Sequence, residues 1–226
     1  MKREIELFVK NTFSRFGYQL QRVPLHLWST EKTFPSLAKQ IEGYTFTDLT
    51  RCFILYQLAR QAVNIPGEVA EIGVYRGGTA KLISRVFAHA SRTVHLFDTF
   101  AGMPPCDPVR DIVTEKEFVN TSLKGVKDFL ADCGNVRFHA GVFPDTCGPV
   151  TDAQFCFVHV DVDIYKSVLD CCSFFYPRMS KGGIMVFDDY GHPVCPGVKT
   201  AVDGFFSDKS EYPCCLPTMQ CLVVKL

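Results

Sequence analysis

The chain has 226 residues, of which 47% are hydrophobic, 21% charged and 13% aromatic, and its formal net charge at pH 7 is zero. This composition supplies a large apolar core and excludes the disordered, collagenous and low-complexity classes. The balanced charge does not favour a basic surface for nucleic acid or for an anionic membrane. The length predicts one principal domain.

The apolar stretches of the sequence are short. Each is interrupted by a charged residue, Gly or Pro before it reaches about 18 residues, the length that spans a bilayer. The charged start of the chain, residues 1–6, lacks the apolar segment of a signal peptide. We therefore expect a soluble, cytoplasmic protein.

Eleven cysteines are present, and none of them forms a Cys-x-x-Cys motif. Four occur as the adjacent pairs Cys171-Cys172 and Cys214-Cys215, and neighbouring cysteines do not easily bridge each other. No zinc-site spacing is recognisable. We expect most of the thiols to be reduced and to act as small buried apolar side chains.

The first part of the chain is predicted to be helical. Residues 1 to about 45 form a Phe-rich helical extension that is interrupted at Val23-Pro24 and Phe34-Pro35. A further helix is predicted over 47–64, because its apolar residues recur at helical spacing. Thr47 or Asp48 is its predicted N-cap.

From residue 67 onward, short apolar runs alternate with amphipathic stretches. The predicted strands are 68–72, 93–97, 136–140, 155–160 and 183–187. The predicted helices are 78–89, a helix ending near Asp132, 164–179 and 198–206. This alternation predicts a mostly parallel α/β sheet with helices on both faces. The last run, 220–226, is predicted as an added antiparallel strand beside a short partner near residues 211–212.

The turn after the first predicted strand is rich in glycine. Gly73 and the pair Gly77-Gly78 permit a tight turn and a close approach to a ligand. Their spacing is not the Gly-x-Gly-x-x-Gly of dinucleotide-binding proteins, and Glu71 directly precedes the turn. A carboxylate there disfavours a pyrophosphate and favours a cationic ligand. S-adenosylmethionine, with a sulfonium, an ammonium group and no phosphate, fits this turn better.

Asp98 ends the second predicted strand, 25 residues after Gly73. This is near the spacing at which an acid at a strand end binds the ribose hydroxyls of an adenosine. An Asp after a strand is also a common helix cap. Together with Glu71 and the glycine turn, Asp98 favours an adenosine-containing ligand.

Acidic residues follow the fourth and fifth predicted strands. Asp161 and Asp163 come after the fourth strand, and Asp188 and Asp189 come after the fifth. Neighbouring strands lie about 4.7–4.9 Å apart, so these carboxylates would repel one another unless a proton or a cation intervened. Carboxylate oxygens suit Mg²⁺ or a similar hard divalent ion. We therefore predict a metal site, with Asp163 instead capping the next helix.

Two histidines adjoin the predicted acidic cluster. His159 lies within an apolar strand and is predicted to be a core residue with satisfied hydrogen bonds. His192 follows the cluster and is a candidate catalytic residue in contact with substrate or metal, or a residue of the loop alone.

The combined motifs resemble those of the macrocin O-methyltransferase family of metal-dependent sugar O-methyltransferases. The stretches that carry the resemblance are GEVAEIGVYRGGTA, FDTFAGMP, GVFPDT, HVDVDIYKSVLD, YPRMSKGGIMVFDDYGH and GVKTAVDGFF, between residues 67 and 206. The resemblance implies a Rossmann-like Class I methyltransferase fold with a seven-stranded sheet. It implies a helical extension over 1–45, which closes the pocket or makes oligomer contacts, and a catalytic domain over 46–226.

The resemblance also implies roles for individual residues. The implied cofactor contacts are Glu71, Gly73, Tyr75, Gly78, Thr79, Asp98, Thr99 and Phe143. The implied metal ligands are Asp161, Asp188 and Asp189. Asp161 is also the implied general base, and the implied cofactors are S-adenosylmethionine and Mg²⁺ or a similar divalent cation.

These observations predict an O-methyltransferase that acts on a hydroxyl of a sugar or a glycosylated small molecule, with no nucleic-acid or membrane partner. Methylation of a catechol needs the same cofactors and stays an alternative. An NAD-dependent oxidoreductase is disfavoured by the missing dinucleotide fingerprint, and a non-catalytic binding module by the intact acidic cluster. The 20 phenylalanines fit either a homo-oligomer or ordinary core packing.

Overall fold

A computed structural model describes residues 2–18, 28, 31–115 and 117–226 of the chain. The helices are α1 (Lys2–Arg15), α2 (Phe34–Ile41), α3 (Leu49–Ala62), α4 (Gly78–Phe87), α5 (Leu123–Phe129), α6 (Tyr165–Phe175) and α7 (Pro196–Phe206). The strands are β1 (Glu68–Ile72), β2 (Val94–Asp98), β3 (Val136–Ala140), β4 (Phe155–Val160), β5 (Met179–Phe187), β6 (Cys214–Cys215) and β7 (Cys221–Val224). Among the described helices, none has the length and apolarity to cross a membrane.

The seven strands form one sheet in the order β3-β2-β1-β4-β5-β7-β6. Strands β1 to β5 are parallel, and β7 runs antiparallel to both β5 and β6. The predicted seven-stranded, mostly parallel sheet with an antiparallel last strand is therefore confirmed. Because β1 pairs with both β2 and β4, the strand order reverses at β1, and ligands bind at such switch points.

Helices cover both faces of the sheet, and this explains the composition of the strands. All six residues of β4 are buried, as expected for a parallel strand with helices on each side. One apolar cluster packs the sheet against α2, α3, α4 and α5. The other packs it against α6 and α7.

The region before β1 departs from its prediction in one respect. Pro35 lies in the first turn of α2, so Phe34-Pro35 begins a helix and does not interrupt one. Val23-Pro24 lies outside the described residues. Asp48 is the N-cap of α3, as predicted, and accepts hydrogen bonds from the backbone N–H groups of Thr50 and Arg51. The division of the chain at residue 45 stays a prediction, although Phe34 of α2 is fully buried in the first cluster.

The end of the chain also corrects a prediction. The partner of β7 is β6 at Cys214–Cys215, and not residues 211–212. Glu211 instead turns inward and binds Tyr176 and Lys225. All eleven cysteines are free thiols, most of them buried, but Cys214 and Cys215 are exposed on the edge strand.

Candidate active site

A cavity of about 450 Å³ opens at the carboxyl ends of β1 to β5, within the usual range for small-molecule sites. Its walls include the 45–47 segment, the turn after β1 and the connection after β2. The predicted site residues that line it are Gly73, Tyr75, Thr79, Asp98, Thr99, Phe143, Asp161, Asp189 and His192. Glu71, Gly78 and Asp188 lie outside this lining.

Gly73 joins the ends of β1 and β4 at very close range. Its φ is +86°, and a Cβ built there would lie 1.7 Å from the carbonyl oxygen of Asp161. The backbone N–H of Asp161 donates to the carbonyl of Ile72, which directly precedes the glycine. No other residue type can occupy this position without moving the backbone that carries Asp161.

Gly78 serves packing. A Cβ at this position would lie 2.8 Å from the Cβ of Thr45, and its backbone N–H donates to the carbonyl oxygen of Tyr44. This contact brings the 45–47 segment over the turn and so forms one wall of the cavity. The contact of Gly78 with the cofactor stays a prediction.

The Asp98 carboxylate organises the turn after β1. One oxygen accepts hydrogen bonds from the backbone N–H groups of Val74 and Tyr75, at 2.6 and 2.9 Å, and the other accepts one from Phe100 at 2.6 Å. Asp98 thereby ties the end of β2 to the glycine turn. Its binding to a ribose stays a prediction.

Glu71 lies outside the cavity lining and is fully buried. Its Oε1 is 2.9 Å from Nδ1 of His159, the residue that faces it across the β1–β4 pairing. Glu71 thus turns its carboxylate toward the neighbouring strand β4, and its contact with the cofactor stays a prediction. His159 is buried as predicted, but its Nε2 has no hydrogen-bond partner among the described residues.

The structure brings the predicted acids together and divides them between two groups. His159, Asp161 and Asp188 each offer an atom, and these atoms lie within 4.8 Å of one another. The second group is Asp163, Asp189 and Cys195, whose ligand atoms also lie within 4.8 Å of one another. Asp188 is held at its place by a hydrogen bond of 2.6 Å from Nε2 of Gln220.

The close carboxylates alter one another's protonation. Burial raises the pKa of Asp161 well above its usual range, and repulsion from Asp188 and Asp163 raises it further. Burial also raises the pKa of Asp163 to about 7, with Asp189 adding to the effect. Burial also acts to raise the pKa of Asp188. The attraction of the neighbouring His159 outweighs burial, so the pKa of Asp188 lies below its usual range. The cluster is therefore short of positive charge.

Asp163 is not the helix cap that the sequence suggests. The backbone N–H of Tyr165 donates to Asp111 Oδ1 at 2.8 Å, so a distant aspartate takes the capping position. Asp163 has a φ of +58° and lines the cavity. The thiol of Cys195 donates to its carboxylate at 3.5 Å. The only sequence signal for this role is the proximity of Asp163 to Asp161.

Arg51 is a site residue that the sequence did not reveal. Its Nη1 lies 2.8 Å from Asp189 Oδ1 and 3.6 Å from Asp188 Oδ2, and its Nε donates to the carbonyl oxygen of Thr218. The side chain is only 11% exposed and lines the cavity. It comes from helix α3, before the sheet begins, so no motif or spacing links it to the acids.

His192 lies on the cavity wall, as its predicted role requires. Its backbone N–H donates to the carbonyl of Asp189 at 3.0 Å. Nδ1 of its ring is buried without a hydrogen-bond partner among the described residues. Its catalytic role stays a prediction.

The residues present fit a divalent cation. Besides His159 Nε2, the buried atoms Glu71 Oε2 and Asp188 Oδ2 have no hydrogen-bond partner among the described residues. Buried acceptors without a donor are rare and call for an explanation. A cation that binds the carboxylates would satisfy Asp188 Oδ2 and offset the repulsion between the acids.

A comparison with protein families matches residues 9–211 to the family described as macrocin O-methyltransferase (TylF). The curated mycinamicin III 3''-O-methyltransferase of Micromonospora griseorubida is 30% identical over 218 residues, which cover 84% of this chain and 85% of that protein. The 8-demethyl-8-(2,3-dimethoxy-alpha-L-rhamnosyl)-tetracenomycin-C 4'-O-methyltransferase of Streptomyces olivaceus is 27% identical, with coverages of 73% and 67%.

A solved structure has the same architecture. The O-methyltransferase NovP superimposes with a TM-score of 0.71 at 27% identity, and the match covers 80% of this chain and 82% of that one. The Rossmann-like Class I O-methyltransferase fold therefore extends over most of this chain.

Proposed function

Since this chain belongs to the macrocin O-methyltransferase family, we propose that it transfers a methyl group from S-adenosylmethionine to a hydroxyl of a sugar or glycosylated small molecule, with the help of a divalent cation such as Mg²⁺. The observation that carries this proposal is the cavity at the switch point with carboxylates at one end. O-methyltransferase activity itself follows from the family, and the dehydrogenase alternative is thereby excluded.

The proposed cofactor site is the part of the cavity around the ends of β1, β2 and β3. Gly73, Tyr75, Thr79, Asp98, Thr99 and Phe143 line this part. Its apolar wall suits an adenine ring, and the carboxylates at the end of β4 suit a positive sulfur. The cofactor supplies, when bound, a methyl group already activated for transfer.

The acids of β4 and β5 would hold the cation and the acceptor hydroxyl. Asp161, Asp188 and Asp189 are the proposed ligands. A divalent cation, when bound, stabilises negative charge on the acceptor oxygen. The residues around it orient the hydroxyl toward the methyl group and exclude water, which makes an in-line displacement possible.

The proton of the hydroxyl must pass to a base of this chain. Asp161 is the base that the resemblance implies, but its carboxylate lies in the group with His159 and Asp188. Asp163 lines the cavity beside Asp189, and in the metal-free protein burial raises its pKa to about 7. Asp163 is therefore a second candidate. Asp161→Asn is expected to lose metal binding and turnover, whereas Asp163→Asn would lose turnover and keep the metal.

The central test is the substitution Asp188→Asn. Metal-dependent methyl transfer is expected to fall at least about 100-fold, because a charged ligand is lost, while calorimetric binding of S-adenosylhomocysteine changes little. Asp208→Asn, on the exposed surface, serves as the control. A variant that kept the wild-type rate in the presence of a chelator would contradict the metal requirement.

The acceptor class needs a separate experiment. The Streptomyces olivaceus relative is named for the methylation of a compound that carries a rhamnosyl group. This relationship favours a sugar hydroxyl over a catechol as the acceptor. A screen of glycosides and catechols with labelled S-adenosylmethionine would separate the two classes. Methylation of catechols alone would overturn the proposed acceptor.

A further inference from the structure

The turn of the final hairpin lies against the acidic residues that follow β5. Because β7 runs antiparallel to β5, it begins at the edge of the sheet where β5 ends. Phe187 is opposite Cys221 in their register. The residue after β5, Asp188, therefore faces Gln220, the residue before β7. Side chains that are directly opposite in an antiparallel pair lie on one face and meet, so the hairpin brings Gln220 to the acidic cluster.

The amide of Gln220 holds one oxygen of the Asp188 carboxylate. Gln220 is fully buried, and its Nε2 donates to Asp188 Oδ1 at 2.6 Å. The other oxygen, Asp188 Oδ2, is buried and has no hydrogen-bond partner within the described part of the chain. A carboxylate with one oxygen held and the other open can bind a cation without first losing a hydrogen bond.

Thr218 fixes the direction of the Gln220 amide. The hydroxyl of Thr218 donates to Gln220 Oε1 at 2.9 Å, and this contact leaves Nε2 on the side of Asp188. A reversed amide would place its oxygen against the carboxylate, and two acceptors repel each other. Contacts on both sides of the amide therefore select the same orientation.

The same turn also contacts the neighbouring aspartate. The carbonyl oxygen of Thr218 accepts a hydrogen bond of 2.9 Å from Nε of Arg51, whose Nη1 lies 2.8 Å from Asp189 Oδ1. The carbonyl oxygen of Met219 accepts a hydrogen bond of 2.9 Å from the backbone N–H of Gly191. One turn thus supports both of the consecutive aspartates at the end of β5.

We propose that Gln220 is a positioning residue for the divalent cation: its amide, oriented by Thr218, holds Asp188 so that Oδ2 is free to bind the ion. The inference rests on the proposed metal dependence, with Asp161, Asp188 and Asp189 as the ligands. An amide suits this role because it donates a hydrogen bond without a positive charge that would compete with the cation. Partners that orient metal-binding side chains contribute about 10–100-fold to metal affinity.

The substitution Gln220→Met tests the positioning role. Methionine has a similar length and shape but no donor, so the Asp188 carboxylate would be free to rotate. Calorimetry should show that the affinities for Mn²⁺ and Mg²⁺ fall by about 10–100-fold. Gln40→Met is the matched control, because Gln40 lies on the exposed surface of α2 and bonds only within its own helix. This control should bind both ions like the wild type.

The rival explanation is that Gln220 only fastens the hairpin to the sheet. In that case Gln220→Met would lower the free energy of unfolding, but the folded variant would bind metal with the affinity of the wild type. Urea unfolding in EDTA, measured beside the calorimetric titrations, separates the two effects. An unchanged metal affinity in folded Gln220→Met would overturn the inference.

A second pair of variants decides the question even where Gln220→Met fails to fold. Thr218 is half-buried in the turn. Thr218→Val removes the hydroxyl that orients the amide and keeps the backbone carbonyl that binds Arg51. Its affinity for Mn²⁺ should fall at least about tenfold, and Thr218→Ser, which retains a hydroxyl, should restore it. Equal affinities in these two variants would overturn the inference.

The wild-type titration separates this inference from the proposed function. If the wild type bound neither Mn²⁺ nor Mg²⁺, the metal part of the proposed function would fall, and this inference with it. Wild-type binding that persisted undiminished in Gln220→Met would overturn the inference alone and leave the proposed metal dependence intact.

Discussion

Arg51 supplies a positive charge next to carboxylates that would otherwise repel one another. Its guanidinium contacts Asp189 at 2.8 Å and lies 3.6 Å from Asp188. A cation in the first turn of a helix opposes the helix dipole, so the position of Arg51 at the start of α3 is unfavourable for the helix alone. The carboxylates offset this effect, and they hold α3 against the site.

Replacement of Arg51 by Gln should therefore destabilise the metal-free protein. We expect the free energy of unfolding in EDTA to fall by about 1–3 kcal/mol, because two mostly buried carboxylates lose their cation. Urea unfolding with and without Mg²⁺ measures the effect. Added Mg²⁺ should restore more stability to the variant than to the wild type, since the ion supplies the missing charge.

Arg60→Gln is the matched control for this prediction. Arg60 lies on the same helix, but it is largely exposed and pairs with Glu31 at 3.5 Å. Exposed pairs of this kind contribute about 0–1 kcal/mol. Equal losses in the two variants would contradict a special role for Arg51.

Among the elements, β7 depends on a side chain outside the sheet. Glu211 precedes β6 and accepts hydrogen bonds from the Tyr176 hydroxyl, the Lys225 ammonium and the backbone N–H of Leu226. Its side chain is 3% exposed. These bonds fasten both ends of the final hairpin to the region after α6. Burial opposes ionisation, but the bonds outweigh it and lower the pKa of Glu211 to about 2.

Substitution of Glu211 by Gln should loosen this hairpin. We expect a loss of about 1–3 kcal/mol at neutral pH, because Lys225 loses a charged partner. A carboxylate with a lowered pKa stabilises the fold above its unfolded value of about 4.3 and loses this effect as the pH falls toward 2. The difference between the two proteins should therefore shrink over that range.

Thermal unfolding as a function of pH, followed by circular dichroism, tests the Glu211 prediction. Glu42→Gln, at an exposed position after α2, is a suitable control and should unfold like the wild type. A difference that stayed constant from pH 7 to about 3 would show that Glu211 does not act through its charge.

At the scale of the whole molecule, the acidic cluster opposes folding as long as no cation is bound. The pKa of Asp163 is raised to about 7 in the folded protein, mainly by burial, and is about 3.9 in an unfolded chain. Between these values the folded state binds more protons than the unfolded state. The stability of the metal-free protein should therefore fall as the pH rises through this window.

The Asp163→Asn variant should lack this part of the pH dependence. Its free energy of unfolding in EDTA is expected to fall less than that of the wild type between about pH 4 and 7. With Mg²⁺ present, the wild type should gain stability over the same range, because the ion binds deprotonated carboxylates. Denaturant unfolding at several pH values measures how the free energy of unfolding depends on pH in EDTA and in Mg²⁺. Asp208→Asn serves as an exposed control. Parallel pH curves for the wild type and Asp163→Asn would contradict the role of Asp163.

Local sequence patterns determined the architecture of this protein. The strands over 68–72, 136–140 and 155–160 have the predicted bounds, because each is an apolar run limited by polar or turn residues. Alternation with helices then leaves few topologies, since parallel strands need crossovers on the faces of the sheet. The same alternation predicts that Asp161 and Asp188 lie at one edge of the sheet.

Only the tertiary structure decided which side chains meet at that edge. The pairing of Glu71 with His159 depends on the register of β1 against β4, and the contact of Arg51 with Asp189 depends on how α3 packs over the sheet. Asp111 likewise takes the capping position that Asp163 was predicted to hold. Sequence periodicity reports the face on which a residue lies. Contacts between residues far apart in the chain arise from packing, which no local pattern encodes.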